Sequence, residues 1–270
     1  SETAANARFN MPDGGLSRVW LARGKERQMI TSADQLIEEL MSKRPPRHKE
    51  RAMRVLLIKG LLTKPQVQMW VKQLHYYRVN VPRKELYILA NCPVKEIRME
   101  RIQKYMEEED DRVIGGNVGP HAALWLKLGE GLGIPRAELE DFRDLSPEYR
   151  LLVDSWLGFA RDHSWLEGAA MSFDEDGGTG RGGEGMKMAE ALAKVYQVPE
   201  WGLVHFTLHS ELDIEHGSST RDLIKKYALT EEQQNGVRAA VAFKRAFHRL
   251  EDQCMWLVCK IDPKLHAEID

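Results

Sequence analysis

The chain has 270 residues, of which 43% are hydrophobic, and its 39 Lys and Arg face 41 Asp and Glu for a formal net charge of −2. That length and apolar content suffice for one sizeable core, so a single compact domain is expected rather than two. Lys and Arg are scattered rather than gathered into a tract, which argues against nucleic acid, and no run approaches the ~18 apolar residues of a membrane span.

The opening stretch, SETAANARFNMPDGG, lacks an apolar signal region, so the chain reads as soluble and cytoplasmic. Residues 1–30 read as an N-terminal extension and 31–270 as one helical domain. Thr31 or Ser32 can cap a helix that runs to about Met41, and Arg44-Pro45-Pro46-Arg47 breaks it. Thr63-Lys64-Pro65 is a stronger start, leading into QVQMWVKQLHYYRV. Further helices are expected over 83–91, 94–112, 120–132, 147–173, 183–196, 199–216, 218–228 and 230–261, with Pro82, Pro93, Pro120, Pro135, Pro147 and Pro199 near the boundaries. No alternating strand is convincing, and short connections between helices imply an all-α bundle. Two Gly-rich interruptions, VIGGNVGP at 113–120 and DGGTGRGGEG at 176–185, follow no strand and give no phosphate-binding loop.

Three cysteines, Cys92, Cys254 and Cys259, have no CxxC spacing, which argues against a disulfide framework and a thiolate metal site. The segment HFTLHSELDIEHG, residues 205–217, sets His205, His209, Asp213 and His216 at helical intervals, on one face. Such a face is either a polar surface stripe or half of a metal site. Upstream lie the acidic run EEEDD at 107–111, His121 at the head of an apolar helix, and Glu175 after the 147–173 helix. Taken together they supply carboxylate oxygens and imidazoles from several helices, a donor set that suits a pair of iron or manganese ions in a bundle core.

The stretches PQVQMWVKQLHYYRVNVPRKELYILANCP, WLKLGEGLGI and FARDHSW resemble the pyrroloquinoline-quinone synthase family over roughly residues 45–217. The resemblance implies the heme-oxygenase-like seven-helix fold that those proteins share with the TenA proteins. That family oxidises a quinone precursor without a metal through His and Arg contacts, of which only His48 has a counterpart here; Glu108 and the glycines of 176–185 stand where the family has His. These departures match a sister group, the heme-oxygenase-like diiron oxidases and oxygenases. Carried over residue by residue, that second resemblance implies Glu107, His121, Glu175, His209, Asp213 and His216 as ligands, with Glu108 and Glu167 as alternatives to Glu107 and Glu175. It implies two Fe2+ ions, or a manganese–iron pair, that activate O2 to oxidise a small, amino-acid-derived metabolite. It also implies a homodimer. His75, Arg78, His163, Trp165 and His205 are candidate substrate contacts, and Tyr76 and Tyr77 either pack the core or neighbour the redox centre. The alternatives are a metal-free quinone-synthase-like oxidase and a TenA-like hydrolase or binding protein.

Overall fold

A computed structural model describes residues 31–46, 51–109, 121–175, 183–206 and 220–269, with the backbone alone for Lys104, Glu107, Glu108 and His121. Among these residues every regular element is helical: α1 (Ala33–Ser42), α2 (Ala52–Ile58), α3 (Lys64–Asn91), α4 (Lys95–Glu109), α5 (His121–Gly131), α6 (Pro147–Asp162), α7 (Trp165–Ala170), α8 (Glu184–Lys194) and α9 (Glu231–Val258). Helical residues 220–227 precede α9. The 1–30 extension lies outside the described residues.

Helix starts follow their capping chemistry. Ser32 Oγ accepts from Gln35 N at 3.2 Å while Ser32 N donates to the Gln35 side chain at 2.9 Å. The same reciprocal pair joins Thr230 to Gln233 at the start of α9. At α3, Thr63 N donates to Gln66 Oε1 at 2.8 Å, and Pro65 stands in the first turn, where its missing N–H costs nothing.

α3 is the central helix. It packs on α4, α5, α6 and α7, while α9 closes the bundle against α6 and α7 and α2 is held between α8 and α9. Val67, Trp70, Val71 and Leu74 of α3 are buried at helical spacing, and Trp125 of α5 both meets Trp70 edge-on at 5.5 Å and donates Nε1–H to Val71 O at 2.9 Å. On area grounds each such aromatic contributes on the order of 2 kcal/mol or more of apolar burial.

Three boundaries differ from the sequence expectation. α3 runs through Pro82 instead of restarting at 83; the ring forfeits one backbone hydrogen bond, but the turn is held by burial and by Asn80 Nδ2 donating to Tyr76 O at 2.7 Å. The expected 147–173 helix is broken after Asp162, because Ser164 caps a new helix: its Oγ accepts from Glu167 N, and the Glu167 carboxylate accepts from Ser164 N and Oγ. Of the expected 199–216 helix, Glu200–Gly202 is a single tighter turn and the chain past 206 lies outside the described residues. α2 was not anticipated; Ala52, Met53, Leu56 and Leu57 bury its inner face.

The two stretches that carry the family resemblance most specifically serve the fold. Asn91 of ANCP donates to the carbonyls of Ala160, Arg161 and His163 at 2.9–3.1 Å, capping the end of α6 from a neighbouring helix. In LGEGLG, a Cβ at Gly129 would lie 2.5 Å from Leu139 Cδ1, and one at Gly131 would lie 3.0 Å from Val198 Cγ1. A side chain at either position would have to displace Leu139 or Val198, so glycine is what lets the 135–139 and 198–202 segments pack this close to α5 without adjustment.

Candidate functional site

The inward faces of α3 and α9 carry polar groups in the middle of apolar stripes. On α9 the buried series Val237, Ala240, Val241, Lys244, Phe247 contains one lysine. Its Nζ donates to Tyr77 Oη at 3.1 Å and lies 5.0, 5.0 and 4.4 Å from the ring centroids of Tyr77, Trp156 and Phe247. Burial in this aromatic box pulls the ammonium down to about 7, against the opposing pull of the Glu251 and Glu175 carboxylates. On α3, one helical face further along, Lys84 and Glu85 are 4% and 1% exposed, and Glu85 bridges Lys84 at 2.5 Å and Arg101 of α4 at 3.0 Å. Burial opposes the charge on Lys84, but Glu85 and Glu175 outweigh it and hold its pKa above the ordinary lysine value.

Glu175 belongs to this interior. Ser172 Oγ donates to its Oε1 at 2.8 Å, and its charge acts on Tyr77, Lys84 and Lys244. Its neighbour Asp174 is anchored by a two-pronged contact with Arg245 at 2.7 and 3.1 Å, and Arg245 also donates to the carbonyls of Leu40 and Lys43. α1, α9 and the segment after α7 are thereby fixed to one another immediately before Glu175.

A second polar string runs along the next turn of α9. Tyr149 Oη donates to Glu251 Oε1 at 3.0 Å, Glu251 Oε2 is 3.4 Å from His248 Nδ1, and Arg51 donates to His248 Nε2 at 3.3 Å. Because Arg51 donates to Nε2, the imidazole proton belongs on Nδ1, facing the carboxylate. Burial, then Arg51 and Lys244, push His248 down to about 3, so it is neutral. Burial alone would raise Glu251, but His248, Arg54 and Lys244 bring it down to about 2, an ionised carboxylate. Beyond it, Arg51 and Arg54 both reach Glu184 at the start of α8.

The residues expected at a site fall into three groups. His209, Asp213 and His216 lie outside the described residues, as do the side chains of Glu107, Glu108 and His121, so Glu175 is the one expected ligand whose surroundings are described. Glu167 is committed to capping α7 and does not face this interior. Arg78 lies over the Trp125 ring at 4.8 Å, and His205 meets the same ring edge-on at 5.1 Å. His75 is buried on the Phe142 side of α3, its ring 5.7 Å from that of Phe142 and its pKa pushed by burial down to about 4. His163 is exposed, since α6 ends before it and its ring stacks on Phe159 at 3.9 Å. Trp165 packs edge-on against Tyr227. These last two are not brought to the interior cluster. Lys84, Glu85, Arg101, Lys244 and Glu251 escaped sequence reasoning; of these, Lys244 carried a local signal, a charge on the apolar stripe of α9.

Residues 54–177 match the TENA/THI-4/PQQC family. Among curated proteins, the pyrroloquinoline-quinone synthase of Acinetobacter baumannii (strain AYE) is 33% identical over 144 residues, 53% of this chain and 56% of that one. The Pseudomonas putida (strain F1) protein of the same name is 38% identical over 128 residues, 47% and 49% of the two chains. The chain thus matches about half the length of these curated relatives. Among solved structures, a TenA homolog from Pseudomonas syringae pv. tomato superposes with a TM-score of 0.62 at 13% identity, covering 83% of this chain and 92% of that one. A domain of unknown function with a heme-oxygenase-like fold from Shewanella denitrificans gives 0.61 at 12%, covering 88% and 93%. The fold is heme-oxygenase-like, and residues 54–177, just under half of the chain, are similar to the superfamily that contains the TENA/THI-4/PQQC proteins.

Proposed function

We propose that the protein is an oxidoreductase of this superfamily that oxidises a small organic substrate with O2 at a two-iron centre held by Glu107 or Glu108, His121, Glu175, His209, Asp213 and His216. The observation that carries this reading is the ring contact between Trp125 and His205 at 5.1 Å. Trp125 is four residues past His121 and His205 four residues before His209, so the contact joins the described ends of the two stretches that bear most of the candidate imidazoles. Glu175 adds a carboxylate turned inward from α7's end, within electrostatic reach of the same interior. Carboxylate and imidazole donors fit iron, and the iron pair would supply O2 reduction when bound. Register favours Glu108 over Glu107: Ile97 and Arg101 are the buried positions described on α4, and Glu108, seven residues past Arg101, returns to their side of the helix while Glu107 does not.

The chain's own residues supply the rest of the chemistry. Lys244, with a pKa near 7, can give a proton at Nζ or take one there near neutral pH, and Tyr77 Oη lies in hydrogen-bond reach to share it. Trp156 and Phe247 keep water from that pair. Two other readings stand further off. A metal-free oxidation, which the resemblance to the pyrroloquinoline-quinone synthases raises, would use the same cationic interior. A thiol hydrolase is disfavoured, because burial pushes Cys259 up to about 12 and raises Cys254, leaving neither as a ready nucleophile.

Elemental analysis after anaerobic loading with Fe2+ tests the proposal. Close to two irons per chain are expected for the wild type, with His209→Ala and Asp213→Ala folded but markedly depleted and His205→Ala loading normally. Full occupancy in the His209 and Asp213 variants, or none in the wild type, would put the metal-free oxidase first.

A further inference from the structure

Among the described residues the interior cations have partners, with one exception. Lys84 and Arg101 share Glu85, Lys244 reaches Tyr77 Oη, Arg54 meets Glu184, and Arg245 grips Asp174. Arg78, on α3, has no carboxylate and no hydrogen-bond acceptor among the described residues, and its buried Nε has no partner. What surrounds it is aromatic: its guanidinium carbon lies 4.8 Å from the centroid of the Trp125 ring and 5.7 Å from that of Tyr77. Ring faces stabilise a cation but accept no in-plane N–H bond, and a partly buried guanidinium without an acceptor is an expense that folding alone does not require.

We propose that Arg78 receives a carboxylate of the substrate, so that the enzyme acts on small organic acids. A guanidinium presents parallel N–H donors in one plane, which match the two oxygens of a carboxylate. Flanking ring faces favour a flat anion, whereas a tetrahedral phosphate calls for donors from several directions. The placement fits a substrate anchor. Trp125, on which Arg78 rests, is four residues past His121 and touches His205, four residues before His209. A carboxylate held by Arg78 therefore lies beside Trp125 and His205, the described ends of the stretches proposed to hold the metals, and the remainder of the molecule can extend from there. Only this last step rests on the diiron reading; the acid-binding role of Arg78 does not.

Binding to the full chain in the presence of EDTA provides the test, by calorimetry and thermal shift, with hexanoate, benzoate and L-leucine each paired against its primary amide. At least one acid should bind ~30-fold or more tightly than its amide, the scale set by removing one partner of a buried charge pair. Arg78→Met should abolish that preference while the ligand-free protein melts at or above the wild-type temperature, because an unpartnered buried charge has been removed and the apolar stem kept. Arg78→Lys, which keeps the charge without the fork, should retain part of the preference. Equal binding of acid and amide across all three pairs, or a preference that survives in Arg78→Met, overturns the proposal; were Arg78→Met to misfold, a full preference in Arg78→Lys would do the same. With chelator present, this outcome is independent of iron: a wild-type protein that keeps the acid preference but holds no iron after anaerobic loading would sink the diiron reading alone.

Discussion

The two halves of α3 are buried to a similar degree by different kinds of residue. In the first half Val67, Trp70, Val71 and Leu74 face the core; of its two buried polar residues, Gln73 is satisfied, donating to Asp144 O at 3.0 Å and accepting from Ser146 N at 2.9 Å, and His75 is an uncharged ring stacked on Phe142. In the second half the buried positions include Asn80, Lys84 and Glu85, with Arg101 brought in from α4. Apolar burial drives folding, whereas a buried ion group recovers little more than its desolvation cost. The first half therefore accounts for stability, and the second marks where the molecule accepts a cost for a charged interior beside Tyr77, Glu175 and Lys244.

Removing single groups from each half gives the largest expected effects. Glu85→Ala leaves Lys84 and Arg101 buried without their shared counter-charge and should cost ~3–5 kcal/mol in urea unfolding. Trp70→Ala should cost a similar ~3–5 kcal/mol through the cavity it leaves. The halves part company on rescue. Replacing Lys84, Glu85 and Arg101 together by Met, Leu and Met should restore stability to about the wild-type value or above it, because no charge is then left unpaired. No second substitution refills the Trp70 cavity so simply. If the triple variant were as unstable as Glu85→Ala, the triad would be a net stabiliser of the fold and the contrast between the halves would fail.

Acidification sharpens the comparison next. Burial depresses His75 to about 4 and His248 to about 3, against an ordinary 6.5 in the unfolded chain. For a group with a depressed folded pKa the stabilisation is complete above 6.5 and is lost as pH falls toward the folded value, since the unfolded state takes up the proton first. By pH 5 each imidazole should have removed up to about 2 kcal/mol. Asp252 works the other way: burial raises it to about 6, so its protonation below that pH relieves a buried charge and returns about 1 kcal/mol. Chemical denaturation at pH 7 and pH 5 should show a net loss, which His75→Phe reduces. A pH-independent unfolding free energy across that window would mean that neither ring is buried neutral.

Much of the architecture was legible because helix starts and apolar stripes are local. Ser32, Thr63 and Thr230 all cap helices within a residue of where the sequence placed them, and the apolar positions of α3 and α5 follow helical spacing. Pro82 misled because the general rule against proline inside a helix was outvoted by tertiary packing around α3. Of the site, the Lys84–Glu85–Arg101 group was invisible: PRKEL reads as a solvated face until Arg101, sixteen residues on, is folded against it. Charge pairing between helices depends on which faces meet, and one sequence does not state that. Lys244 was closer to legible, standing on the same buried helical face of α9 as Val237, Ala240, Val241 and Phe247.

The break between α6 and α7 supplies the smallest effect, and it too had a local signal: Ser164-Trp165-Leu166-Glu167 has the S-x-x-E spacing of a capping box, which the apolar run around it obscured. Ser164→Ala removes the acceptor for Glu167 N and one donor to the Glu167 carboxylate, and should cost ~1 kcal/mol in thermal or urea unfolding. Glu167→Ala should cost about as much or less, because it frees Ser164 N and removes the carboxylate that lies against Gly236 of α9. The two losses belong to one reciprocal pair, so the double variant should fall short of their sum. Strict additivity would show that cap and carboxylate act separately, and that Glu167 is available for other work. Non-additivity, with iron content unchanged in both single variants, would assign Glu167 to the helix start and leave Glu175 as the inward carboxylate of this segment.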